Sequence, residues 1–183
     1  MLFLGGIKIR RKTILYDMDV MSIFLWNNCY DLLKANFSRI IISNINYKKL
    51  NSPNSPKFLK EILEELIKES FIKVEEIHIP SETFNLYCTL MNHYNDKVIS
   101  KAEASSLALV IKNNGFIACN DPNMFMPFIK KYDLEYTTIS IILLNSYKKK
   151  ILSKEETIEL WNKMYFNDKS ISKEDFLNMI DEI

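Results

Sequence analysis

The stretch Thr13-Ile14-Leu15-Tyr16 decides how the rest of the chain is interpreted, because it is short, apolar and has the composition of a buried strand. It ends at Asp17-Met18-Asp19. Apolar residues then recur at helical spacing from Val20 to about Asn36, which predicts one helix. A second strand is predicted at Arg39–Ser43, so the chain opens with a strand–helix–strand unit.

The same alternation of strands and helices continues to the end of the chain. Further strands are predicted at Phe71–Ile79, Phe116–Cys119 and Leu134–Tyr136. Further helices are predicted at Lys57–Ser70, Ser81–Asn95, Ser100–Asn113, from Pro122 onward, Thr138–Lys150, Ser153 to about Phe166, and Ser172–Asp181. Such alternation predicts an α/β fold, a three-layer α/β/α sandwich with a central, mainly parallel sheet. We expect a single domain over residues 1–183, with a core at about 13–150 and a C-terminal helical extension at about 151–183.

The composition argues against several classes of protein. The 183 residues are 48% hydrophobic and 26% charged, which is typical of a globular domain. A net charge of +1 argues against nucleic-acid binding by bulk charge and leaves a local basic patch open. The three glycines, Gly5, Gly6 and Gly115, form no Gly-rich phosphate loop. The two histidines, His78 and His93, lack the HExxH spacing, so a His-based zinc hydrolase is not expected.

The cysteines and the apolar runs indicate where the protein works. Cys29, Cys88 and Cys119 are odd in number, far apart in sequence and without a CxxC pair. They are typical of reduced thiols, so we expect a cytoplasmic protein. No apolar run approaches the roughly 20 residues that cross a bilayer, so no membrane partner is expected.

Three acidic residues occupy positions from which a metal ion could be held. Asp17 directly follows the first strand, and Asp121 follows the Phe116–Cys119 strand after one intervening residue. Ligands of parallel sheets bind beyond the carboxyl ends of the strands. Glu103, in the first turn of the preceding helix, could point into the same crevice. Three carboxylates without His or Cys suit Mg²⁺ or Mn²⁺, ions that polarise a phosphodiester and activate water.

Each of these acids also has a purely structural interpretation. Asp121 before Pro122 is a standard helix start, and Asp17 could cap the helix that follows it. Glu103 stands three residues after Ser100, which is a capping-box pattern. Comparable patterns begin at Ser153, followed by Glu156, and at Ser172, followed by Asp175. One residue can both cap a helix and bind a metal, so both interpretations stay open.

Four segments match one known family in order and spacing. They are Ile14–Met21, Ser100–Ala108, Phe116–Asp121 and Thr137–Leu144. Together they resemble the PIN domain, a fold of metal-dependent ribonucleases, over about Thr13 to Phe166. The likeness is closest to prokaryotic PIN-like proteins found beside antitoxins or in uncharacterised operons. It implies that Asp17, Glu103 and Asp121 are catalytic metal ligands and that Asp19 lies close to the metal.

Three residues depart from the pattern of that family. Lys101 replaces the first Glu of its Gly-Glu-Ala-Glu motif, Asn120 replaces the first residue of its late Asp pair, and Lys49 falls where it has a Glu after the second strand. A lysine removes a ligand and adds a competing cation. The resemblance therefore implies a Mg²⁺- or Mn²⁺-dependent endoribonuclease, intact or weakened. The alternative is an inactive PIN-like module that binds RNA or a protein partner. A toxin held by an antitoxin-like neighbour and a homodimer also stay open.

Other conspicuous residues have ordinary structural interpretations. The basic triplets Arg10–Lys12 and Lys148–Lys150 could contact RNA, but exposed basic triplets are usually solvated surface. Trp26 and Trp161 occupy apolar positions of predicted helices, so both are expected in the core.

Overall fold

A computed structural model describes most of the chain, as five strands and ten helices. The described residues are 13–17, 19–92, 99–113, 115–164 and 171–183. The strands are β1 (Thr13–Asp17), β2 (Phe37–Ser43), β3 (Ile72–Glu75), β4 (Phe116–Ala118) and β5 (Glu135–Thr137). They form one sheet in the order β3-β2-β1-β4-β5, and every neighbouring pair is parallel.

Helices connect these strands and extend the chain beyond the last of them. The first five are α1 (Met21–Trp26), α2 (Asp31–Asn36), α3 (Asn44–Leu50), α4 (Lys57–Lys68) and α5 (Glu82–Asn92). The second five are α6 (Lys101–Asn113), α7 (Pro122–Lys131), α8 (Ile139–Lys148), α9 (Lys154–Met164) and α10 (Lys173–Asp181). None of the helices in the described ranges is long and apolar enough to cross a membrane.

Side chains that alternate along the strands enter two separate cores. Leu15 and Ile40 face a core filled by α1, α2, α4, α8, α9 and α10. Their neighbours Tyr16 and Ile41 face the opposite core, filled by α5, α6 and α7. This alternation is expected of strands buried on both faces. The prediction of a three-layer α/β/α sandwich with a parallel central sheet is therefore confirmed.

The single helix expected over Val20–Asn36 is wrong, because the chain divides it into α1 and α2. Asn28 adopts the left-handed conformation, with φ of 50°, and ends the first helix. The amide of Cys29 then donates to the carbonyl of Phe24, a bond typical of a helix C-terminus. Neither Gly nor Pro marks this break in the sequence, so the apolar periodicity runs through it unnoticed.

Left-handed residues other than glycine end several helices in the same way. They are Asn28, Ser70, Asp133 and Lys150. Gly115, which follows α6, has no positive φ. Its amide donates to the carbonyl of Val110, five residues earlier, which is the bond that the second residue beyond a helix makes in a Schellman motif. Asn114 lies outside the described residues.

The two tryptophans occupy opposite environments. Trp161 is 1% exposed, donates to the hydroxyl of Ser140 at 2.8 Å and stacks on Phe176, as expected for a core residue. Trp26 is 55% exposed and meets the ring of Phe58 edge-on, so the expectation that it lies in the core is wrong. The C-terminal helices thus share the core on one face of the sheet.

Candidate functional site at the carboxyl edge of the sheet

The order of the strands reverses between β1 and β4. From β1 the chain adds β2 and β3 on one side, and it then returns to place β4 on the other. Asp17, the last residue of β1, pairs with Ala118, the last residue of β4. Open parallel sheets bind ligands beyond the carboxyl ends of the strands at such a reversal. The residues that follow β1 and β4 are therefore the first candidates for a functional site.

Asp17 is buried at this reversal and also caps a helix. Its side chain is 3% exposed, and Oδ1 accepts hydrogen bonds from the amides of Val20, at 3.1 Å, and Met21, at 2.8 Å. Burial raises the pKa of Asp17 to about 7, and the neighbouring charge of Asp19 adds to this rise while the two amides oppose it. The capping interpretation is thus confirmed. The raised pKa also lets the same carboxyl gain or lose a proton close to neutral pH.

Asp19 links the carboxyl ends of the two strands. Its Oδ1 accepts from the amide of Asn120 at 3.1 Å, and its carbonyl accepts from the side-chain amide of Asn120 at 3.4 Å. Burial, with smaller contributions from the negative charges of Glu103 and Asp121, raises the pKa of Asp19 to about 6. The carboxyl of Asp19 therefore interacts electrostatically with two acids that are remote from it in sequence.

Glu103 and Asp121 each take part in the N-terminal cap of a helix. Oε2 of Glu103 accepts from the amide of Ser100 at 2.6 Å, and the amide of Glu103 donates to Oγ of Ser100 at 3.2 Å. This reciprocal pair confirms the capping box. Oδ1 of Asp121 accepts from the amide of Met124 at 3.2 Å, which confirms the helix start before Pro122. Each carboxylate has a second oxygen that bonds to no other described residue.

A buried polar network holds this edge together, and sequence reasoning missed it. Ser106 donates to the carbonyl of Asp17 at 2.8 Å and accepts from the amide of Asn46 at 2.7 Å. Beside them, the hydroxyls of Ser43 and Ser105 lie 2.6 Å apart. All five side chains are buried. Polar residues at apolar positions, above all the Ser105-Ser106 pair within α6, are the signal that could have predicted this network.

Lys49 and Lys101 stand where the PIN pattern has acids, and they differ in their relation to the site. The positive charge of Lys49, on α3, opposes the rise in the pKa of Asp19, so it acts on that carboxyl across the edge. Lys101 is exposed at the first position of α6 and is not among the groups that shift the pKa of Asp17 or Asp19. Of these two lysines, only Lys49 therefore lowers the pKa of Asp19.

The donor set of this edge fits a hard cation in its chemistry. It consists of oxygen ligands, which Mg²⁺ and Mn²⁺ prefer. Oδ1 of Asn120 is buried and has no hydrogen-bond partner within the described part of the chain, so it is a further oxygen without a donor. Among the residues that the structure describes, no group of three or more His, Cys, Asp or Glu side chains is placed to hold a metal ion. The three-carboxylate metal site stays a prediction.

One of the basic residues noted in the sequence lies at the end of α2. Arg10–Lys12 and His93 fall outside the described residues. Lys149 donates to the carbonyl of Ala35 at 3.1 Å and to Oδ1 of Asn36 at 2.8 Å, at the end of α2. Its role there is structural, so the expectation of a solvated Lys148–Lys150 triplet is wrong for its central member.

No protein-family model matches the chain, and no curated protein matches it significantly. The function must therefore be inferred from the geometry of its own residues.

Proposed function

We propose that the chain is a PIN-type endoribonuclease that depends on Mg²⁺ or Mn²⁺. One observation carries the proposal: Oδ1 of Asp19 accepts the amide of Asn120 across the reversal of the sheet, beside the buried Asp17 and next to Asp121 in the chain. Four acids from three separate segments thus lie at the edge where parallel sheets bind ligands. Carboxyl groups gathered at a partly buried edge without matched cations are unfavourable unless a metal or a proton compensates them.

Asp17, Glu103 and Asp121 would hold the metal, with Asp19 as an auxiliary ligand. The ion would supply a Lewis acid for the phosphodiester and for the attacking water. The chain itself orients its carboxyl groups: two amides fix Oδ1 of Asp17, and Asn120 fixes Oδ1 of Asp19. Burial limits the access of water to both acids, and their raised pKa values let them exchange protons close to neutral pH.

The test uses Asp17→Asn and Asp121→Asn variants, assayed for cleavage of single-stranded RNA with Mn²⁺. Asp133→Asn is the matched control. Asp133 is exposed and precedes β5, so it lies at the amino ends of the strands, opposite the candidate site. We expect both site variants to lose at least about 100-fold in rate and the control to keep its activity. The proposal of an enzyme is refuted if the wild type does not cleave RNA, or if all variants cleave it equally.

A second candidate function is an inactive PIN-like module that binds RNA or a protein partner. It is favoured by the charge of Lys49 at Asp19 and by the engagement of Glu103 and Asp121 as caps. Titration with Mn²⁺ separates the two candidates. A working site raises the melting temperature by mass action, whereas an inactive module shows no such rise.

A further inference from the structure

Lys49 is an exposed side chain held above the acidic edge by a fixed helix. Asn46, one turn earlier on α3, donates to Oγ of Ser106 at 2.7 Å and to the carbonyl of Asp17 at 3.4 Å. Residues three apart on a helix share one face, so Lys49 lies on the face of α3 that Asn46 turns towards α6. By the same spacing, Glu103 lies on the face of α6 that carries Ser106.

The ammonium group of Lys49 is near the acids without being neutralised by them. It lies within 4.0 Å of no described carboxylate, although the contacts of Asn46 hold α3 at the edge that carries Asp17. Oδ1 of Asp19 is already occupied by the amide of Asn120. The donors of Lys49 are therefore available to an anion that approaches the edge from solvent, and a lysine binds phosphate as a compact point charge.

We propose that Lys49 binds a backbone phosphate of single-stranded RNA beside the acidic edge, and that the Asn46–Ser106–Asp17 contacts position it there. This inference rests on the proposed function. Lys49 stands where the PIN pattern has an acid. At this position the chain loses a metal ligand and gains a contact with the substrate. Lys49 thus has two opposite effects: it attracts the phosphate chain and it repels the metal.

Binding of a fluorescein-labelled single-stranded RNA, measured by anisotropy in EDTA over a series of salt concentrations, tests the inference. Each phosphate contact contributes about 0.7 to the slope of log K against log salt concentration for single strands. We expect Lys49→Gln to weaken binding about fivefold and to reduce the slope by about 0.7. Lys49→Arg should retain both values. Lys48→Gln is the matched control, because Lys48 is exposed on α3 but points away from that face.

The metal response gives a second readout with the opposite sign. Removing the positive charge in Lys49→Gln should increase the rise in melting temperature that a fixed Mn²⁺ concentration produces. Equal effects of Lys48→Gln and Lys49→Gln on RNA binding, an unchanged slope, or no RNA binding by the wild type in EDTA overturns the inference. A reduced slope in a protein that neither responds to Mn²⁺ nor cleaves RNA keeps Lys49 as an RNA contact and refutes the nuclease alone.

Discussion

The hydroxyl of Ser106 donates a 2.8 Å hydrogen bond to the main-chain carbonyl of Asp17, joining two residues that are 89 positions apart. The bond fixes α6 onto the last residue of β1, and α6 carries Glu103. Since Asn46 donates to the same hydroxyl, α3 is fixed in the same place. Ser106 therefore contributes to the relative positions of three site residues, Asp17, Glu103 and Lys49.

Ser106→Ala should destabilise the protein and loosen the site together. The substitution leaves the amide of Asn46 without its close acceptor, and a buried polar group that loses its partner costs about 1–3 kcal/mol. We expect a fall in melting temperature of about 3–10 °C in thermal denaturation. Ser38→Ala, at an exposed position of β2, should change the free energy of unfolding by less than about 0.5 kcal/mol. Equal melting temperatures for the two variants would contradict the importance of the network.

Asp17 should make the metal-free protein less stable as the pH rises. Its folded-state pKa of about 7 exceeds the ordinary value of 3.8, so the folded state binds more protons than the unfolded state between these values. The contribution of Asp17 to stability is complete below pH 3.8 and is lost as the pH rises through about 7. Melting temperatures in EDTA from pH 5 to pH 8 should fall by roughly 5 °C more in the wild type than in Asp17→Asn. Parallel pH curves for the two proteins would show that Asp17 is ionised throughout.

Glu103 and Glu156 provide a test that separates helix capping from metal binding. Both close capping boxes of the same geometry, but Glu156 lies in the first turn of α9, which packs on α8 in the core on the other face of the sheet from α6. Glutamine also closes a capping box, so each Glu→Gln variant should lower the melting temperature by no more than about 2 °C. Only Glu103→Gln should weaken the thermal shift that Mn²⁺ produces. If Glu156→Gln weakens that shift equally, Glu103 is a cap and not a ligand.

The sequence predicted which segments form the sheet because the strands are apolar runs, although the strand expected over Phe71–Ile79 ends at Glu75. Arg39–Ser43 and Phe116–Cys119 were both placed within two residues of the observed strands. It failed at α3, for which no helix was predicted. Asn44-Ile45-Asn46-Tyr47 has weak helix propensity, and the helix is stabilised by the Ser43 cap and by the contacts of Asn46 with α6.

The site was predictable only in its charged residues. Asp17 and Asp121 follow strands, so their shared edge could be inferred from topology. The supporting network could not be inferred, because Ser43 meets Ser105 from 62 positions away and Asn46 meets Ser106 from 60 positions away. Local pattern carries no information about contacts between residues so far apart. The effect of Lys49 on Asp19 required the placement of α3, which the sequence did not reveal.

Lys150→Gly should stabilise the protein, although glycine usually destabilises. Lys150 has φ of 59° at the end of α8, a conformation that costs a residue with a Cβ about 1 kcal/mol. Glycine adopts it freely, so we expect a gain of about 0.5–1 kcal/mol and a rise in melting temperature of about 1–4 °C. Lys148→Gly is the matched control: it removes the same charge two residues earlier, at the last residue of α8, and should cost up to about 1 kcal/mol. A gain of stability in Lys150→Gly with a loss in Lys148→Gly would assign the effect to backbone conformation. A loss of stability in both variants would show that Lys150 is not strained.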